Sequence, residues 1–205
     1  MDTLDIIRNT IAGFCIEFVN NPYLCYTEHG QHALFYTKLY NNFPEDQRYT
    51  TWQRQKVCVI QKEYPTATNL GKPQRQHWDV VVLSVPPTNN YNGAEGYDYL
   101  KLLAGIEFGM NEAQAHLEDD IERLGHEKSN VIKGFIVHLY RLSDARQKFS
   151  GRDWSQNSKR IISPDQLAEL TKMTSVEIYY GMADSTGKYE SVVSHIKDGK
   201  MIEIK

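Results

Sequence analysis

An α/β fold with a mixed central β-sheet flanked by helices is predicted by three features of the chain. At the N-terminus Leu4, Ile7, Ile11, Phe14 and Phe18 fall three and four apart, the spacing that lines one buried face of a helix. Further on, Val57 to Ile60, Trp78 to Leu83, Leu102 to Met110 and Lys133 to Leu142 are strand-like runs rich in β-branched and apolar residues. Such nearly uninterrupted apolar content suits strands covered on both faces. Between the last two runs Leu117, Ile121 and Leu124 repeat at helical spacing, so strand, helix and strand should form a right-handed parallel crossover.

Each element has local signals at its ends. The first helix is expected over 3–19, because Asn20-Asn21-Pro22 stops its pattern. Thr27 is a plausible N-cap for a second helix that carries Glu28 in its first turn and ends before Asn41-Asn42-Phe43-Pro44. The first strand runs from Val57 toward Tyr64-Pro65, and a polar stretch containing Pro and Gly separates it from the strand of Trp78 to Leu83. A long loop, Pro86 to Gly93, precedes the third strand. Asn111 with Gln114 three residues later is expected to cap the next helix, which ends near Gly125.

After a basic link over 143–160, Ser163-Pro164-Asp165-Gln166 combines a capping Ser, Pro at the first helical position and Gln at the third. Short strands are then expected around Val176 to Tyr180, Tyr189 to Ile196 and Met201 to Ile204, the last two joined through Lys197-Asp198-Gly199-Lys200. The organisation is an N-terminal helix over 1–26 packed on an α/β core over 27–142, with a C-terminal helix and short β-strand extension over 143–205 in the same domain. The exposed edge of that extension is a weak pointer to a homodimer.

Composition excludes several classes. Hydrophobic residues make up 40% and charged residues 24% of 205, so there is apolar material for a core and no signature of disorder. No apolar run approaches the ~18–20 residues that span a bilayer, and Met1-Asp2-Thr3-Leu4-Asp5 is not a basic leader, so a cytoplasmic protein without membrane contact is expected. Cys15, Cys25 and Cys58 are odd in number and lack C-x-x-C spacing, which predicts neither disulfides nor a cysteine zinc cluster. His29 and His32 can share a helix face, but no H-E-x-x-H pattern supports zinc there. No G-x-S-x-G elbow is present.

A net charge of −3 removes any global electrostatic argument for nucleic acid, so such an argument must be local. Arg48, Arg54, Lys56, Lys62, Lys72 and Arg75 face a single acid, Glu63, across their stretch, and six further bases from Arg141 to Arg160 face two acids. The reverse holds over 112–123, which carries five acids and one base. Arg54, Lys56, Arg75, Arg152, Lys159 and Arg160 are the candidate phosphate contacts.

The chemistry-bearing pattern is a pair of acids on consecutive strands: Asp79, ending Gln76-His77-Trp78-Asp79, and Glu107, in Gly105-Ile106-Glu107-Phe108. An acid inside an apolar strand is costly to bury without a partner, so both call for an explanation. In a suitable register the two share one end of the sheet, with Glu28 joining from the second helix. Hard cations bind through one or two carboxylates plus waters and phosphate, which suits phosphodiester hydrolysis.

On these residues the chain resembles the PD-(D/E)XK nuclease superfamily over roughly 28–142. Asp79 matches the first acid, with Trp78 where the motif has Pro; Glu107 matches the second, and Glu28 the glutamate of the early helix. His116 to Leu124 is similar to the helix that follows the motif. The resemblance implies an αβββαβ restriction-endonuclease-like core, Mg²⁺ or Mn²⁺ held by Glu28, Asp79 and Glu107, and cleavage of DNA or, less often, RNA. The motif places Lys two residues after the second acid, and this chain has Gly109 there. Gln114, Lys62 and Lys101 are the candidate replacements, Gln114 being assigned a catalytic role with the two acids. The alternative is a catalytically silent nucleic-acid-binding or assembly module on the same fold.

Overall fold

A computed structural model describes residues 2–89, 96–142 and 161–205, apart from the side chain of Pro164. Apolar periodicity produces the first two helices as expected, α1 over Thr3–Asn20 and α2 over Glu28–Asn42. Thr27 caps α2, its side chain accepting from the Gly30 amide. A small hairpin follows, β1 over Tyr49–Trp52 and β2 over Gln55–Cys58, antiparallel and separate from the main sheet. The strand expected from Val57 onward is therefore divided, with β2 ending at Cys58 and β3 spanning Ile60–Pro65.

Next come β4, His77–Leu83; β5, Leu102–Met110; α3, Gln114–Gly125; β6, Val131–Leu142; α4, Pro164–Thr171; β7, Glu177–Asp184; β8, Val192–Lys197; and β9, Lys200–Glu203. The main sheet has seven strands in sequential order β3 to β9. Its two central junctions, β5 with β6 and β6 with β7, are parallel, and the outer pairs are antiparallel. The mixed sheet flanked by helices is thus the predicted class. The final three strands extend the central sheet itself rather than standing beside it.

Both faces are covered, as the apolar runs require. On one face α1 and α2 place Ile7, Ile11, Phe14, Phe35 and Leu39 against Val80, Val82, Ile106, Phe108 and Val137. On the other, Leu117, Leu124 and Leu167 of α3 and α4 meet Val81, Ile136, Tyr140, Ile178 and Tyr180. Gly105 and Gly134 let α3 approach closely: a Cβ at either would lie about 3 Å from Leu124 or Val131 side-chain atoms.

Glu177 opens β7 with its carboxylate wholly buried. It is held by Arg8 of α1 (Nη2 at 3.0 Å), Lys133 of β6 (2.9 Å), His195 of β8 (3.0 Å) and Lys197 (3.3 Å). These bases, with His195 the first of them, hold its carboxyl far below the usual range despite burial.

One local expectation is corrected and two are met. Asn111 does not cap α3, which begins after Ala113; Asn111 sits in the left-handed region at φ 61° and its Oδ1 accepts from the Arg141 amide. The capping box of α4 does form, Ser163 and Gln166 satisfying one another's backbone amides. The hairpin at Asp198 and Gly199 has both residues at positive φ, the requirement of a two-residue type I′ turn. The link over 143–160 and residues 90–95, which include the end of the loop from Pro86 to Gly93, lie outside the described residues.

Candidate functional site

The site begins where two strands part. β4 and β5 are paired from Leu83 with Leu102 to Val80 with Ile106, and the ladder ends there. Beyond it the Asp79 side chain takes over, Oδ2 accepting from the Phe108 amide at 2.8 Å. Strand alternation breaks at the same point, since Trp78 belongs to the core beneath α3 and Val80 to the core beneath α1 and α2. Opposite this break, Glu63 on β3 has φ 51°. The Asp79 carboxylate consequently lies between the two faces of the sheet and reaches groups on both.

On the α3 side it meets Glu107. That residue is 3% exposed, and the two carboxyls lie close enough to shift one another's titration. Burial, and then the Asp79 charge, push the Glu107 carboxyl well above its ordinary range. Asp79 is also raised by burial, though His32 and the Phe108 amide pull the other way. Two acids on neighbouring strands thus influence one another at the end of the β4–β5 ladder.

Glu107 has a cation as well. Arg123 of α3 approaches its Oε1 at 3.0 Å while also pairing with Asp120 at 2.6 Å and Asp119 at 3.5 Å, its guanidinium 5.4 Å from the Trp78 ring. Arg123 is a site residue that motif matching missed. The available signal was Asp120, a charged residue three after Leu117 and four before Leu124, hence in phase with the buried stripe of its helix. His116, one turn before Asp120, pairs with it at 3.2 Å, and this raises the imidazole to about 9.

On the other side of Asp79 lies His32 of α2, buried against the Phe108 ring. Its Nδ1 is 3.6 Å from Asp79 Oδ1 and its Nε2 is 3.8 Å from Glu28 Oε1, too far for hydrogen bonds. The expected three-carboxylate set is thereby corrected: an imidazole separates Glu28 from the other two acids. A buried histidine one turn after Glu28 fills the space that a direct carboxylate contact would need.

None of the three candidate replacements for the motif lysine is seen at the acids. Gln114 is exposed and donates along its own helix to Glu118 at 2.7 Å. Lys62 pairs with Glu63 at 3.5 Å, and Lys101 lies six residues from Glu107 along β5, about 20 Å at strand rise. Gly109 pairs in register with His138, and a Cβ there would stand 3.1 Å from His138 Nδ1. His138 thus fills the volume that a side chain at 109 would take; burial lowers its imidazole to about 4.

The candidate phosphate contacts have mixed surroundings. Arg54 is exposed in the β1–β2 turn and Lys56 lies over the Tyr49 ring at 4.0 Å. Arg75 donates to the Thr66 carbonyl at 2.7 Å and pairs with Asp98 at 3.2 Å, so it fastens two loops. Arg152, Lys159 and Arg160 lie outside the described residues. Among the described residues no helix is long and apolar enough to cross a membrane, and all three cysteines are free. Comparison with protein-family models, with curated proteins and with solved structures gives no match for this chain.

Proposed function

We propose that the chain is a divalent-metal-dependent nuclease-like protein acting on phosphodiester bonds of DNA, with RNA as the second substrate class and the cytoplasm as its compartment. The observation that supports this most is the placing of the Asp79 and Glu107 carboxyls at the end of the β4–β5 ladder, where each acts on the other's titration and the Phe108 amide fixes Asp79. Like-charged acids in a buried setting are tolerated when a proton or a cation lies between them. Their oxygens suit a hard cation, so Asp79 and Glu107 would hold Mg²⁺ or Mn²⁺ in place of the proton that burial favours on Glu107. When bound, such an ion polarises phosphate and lowers the pKa of water.

The protein's own groups have separable parts in this reading. The Phe108 amide fixes the Asp79 carboxylate, and Arg123 fixes Glu107 while offsetting its charge. Arg54 and Lys56 on the β1–β2 hairpin supply positive charge for a nucleic-acid backbone.

A specific observation favours a second reading, the silent binding or assembly module. Arg123 already pairs with Glu107 at 3.0 Å, and His138 Nδ1 would stand 3.1 Å from a Cβ at Gly109. Incubating plasmid and single-stranded DNA and RNA with Mg²⁺ or Mn²⁺, beside Asp79→Ala, separates the two. Metal-dependent cutting lost in the variant supports the nuclease. Salt-sensitive binding without cutting on any substrate supports the silent module.

A further inference from the structure

We infer that His29, His32 and Glu63 form a site for a borderline divalent metal, Zn²⁺ above all, on the α2 side of Asp79 and distinct from the carboxylate pair. One ring nitrogen from each histidine and one oxygen of Glu63 lie within 4.8 Å of one another. Ligand atoms about 2.0–2.2 Å from a shared tetrahedral ion are about 3.3–3.6 Å apart, so side-chain closure of up to roughly 1.5 Å completes the set.

Three features of the chain converge there. His29 and His32 are one turn apart in α2 and present their rings together, centroids 5.6 Å apart. His32 is 2% exposed, yet neither of its ring nitrogens has a hydrogen-bond partner. A buried imidazole without such a partner is costly, and metal coordination removes that cost. Finally, the positive φ of Glu63 interrupts β3 beside these histidines, and Lys62 at 3.5 Å is the cation paired with Glu63. A surface pair of that kind is weak enough for an ion to displace.

The donor set decides the ion. Two imidazoles and one carboxylate favour Zn²⁺ or Co²⁺ over Mg²⁺, which prefers oxygen ligands and its own waters. Three protein ligands leave a position for water or for a phosphate oxygen. With Nε2 as the His32 ligand, Asp79 Oδ1, 3.6 Å from Nδ1, would be the outer carboxylate that orients the imidazole. The site does not require the nuclease reading to be correct.

The test is Zn²⁺ binding to the full chain, by competition against a chromophoric chelator, together with the visible absorption of added Co²⁺. Wild type should take up one ion per chain and give the intense bands of low-coordinate Co²⁺. His29→Ala and Glu63→Gln, both at exposed positions, should each weaken binding by at least about tenfold while keeping the fold by circular dichroism. No Zn²⁺ uptake by wild type, or equal affinity in both variants, overturns the proposal. Loss confined to Glu107→Gln also overturns it, by assigning the ion to the carboxylate pair. Failure of Mg²⁺-dependent cleavage would leave a positive Zn²⁺ result intact.

Discussion

At the residue scale the decisive feature is a buried acid, Glu107, raised by burial and by the charge of Asp79 beside it. Because the Glu107 carboxyl is raised above its unfolded value, the fold binds a proton that the unfolded chain releases. Stability from this source is full below the unfolded pKa and is lost as pH rises through the folded one. Asp79→Asn keeps an acceptor for the Phe108 amide and removes the like charge. In metal-free protein it should stabilise by about 1 kcal/mol, or ~2–4 °C in Tm, and flatten this pH dependence in thermal scans. An unchanged or lower Tm would mean that the acids do not repel one another.

Gly109 permits a second test at this scale. Restoring the motif with Gly109→Lys should lower Tm, because the new Cβ meets His138 Nδ1 at 3.1 Å. Adding His138→Ala should recover part of the loss. If Gly109→Lys alone is neutral, His138 is not what excludes a side chain there.

At the element scale, Glu177 ties α1 to three strands. Replacing it with Gln leaves Arg8, Lys133 and Lys197 close together without their carboxylate, and should cost about 3 kcal/mol in denaturant unfolding near neutral pH. The sign with pH follows from its depressed carboxyl. The stabilisation is present above the ordinary carboxyl pKa and disappears as pH falls through the lower folded value, so wild type and Glu177→Gln should converge in acid. A constant difference down to low pH would contradict that electrostatic origin.

Elements also show how far local signals carry. The stripe from Leu4 to Phe18 and the run from Leu102 to Met110 are read from spacing alone, because burial on one helix face or on both strand faces imposes its own period. The β1–β2 hairpin escaped such a reading. Tyr49-Thr50-Thr51-Trp52 is short and half-exposed, and its turn uses Gln53 and Arg54 at positive φ, where glycine or asparagine would have been the signal. The start of α3 escaped for a tertiary reason, since Asn111 is engaged by the Arg141 amide on the neighbouring strand.

On the whole-molecule scale, Asp79 and Glu107 stand out because each interrupts an apolar strand, and their neighbourhood follows from sheet order. His32 was not legible, and Arg123 only through Asp120 on the buried stripe of its helix, since what makes them site residues is contact with strands distant in sequence. The same packing keeps Glu28 from the acids by inserting His32 between them.

The central claim is that Asp79 and Glu107 together hold a hard cation. Mn²⁺ binding to wild type, Asp79→Asn, Glu107→Gln and His29→Ala, followed by paramagnetic resonance from mildly acidic to mildly alkaline pH, tests it most directly. Binding should tighten as pH rises, release a proton, vanish in either carboxylate variant and persist in His29→Ala. Mn²⁺ uptake that is absent from wild type, or unaffected by Asp79→Asn and Glu107→Gln, would contradict the claim.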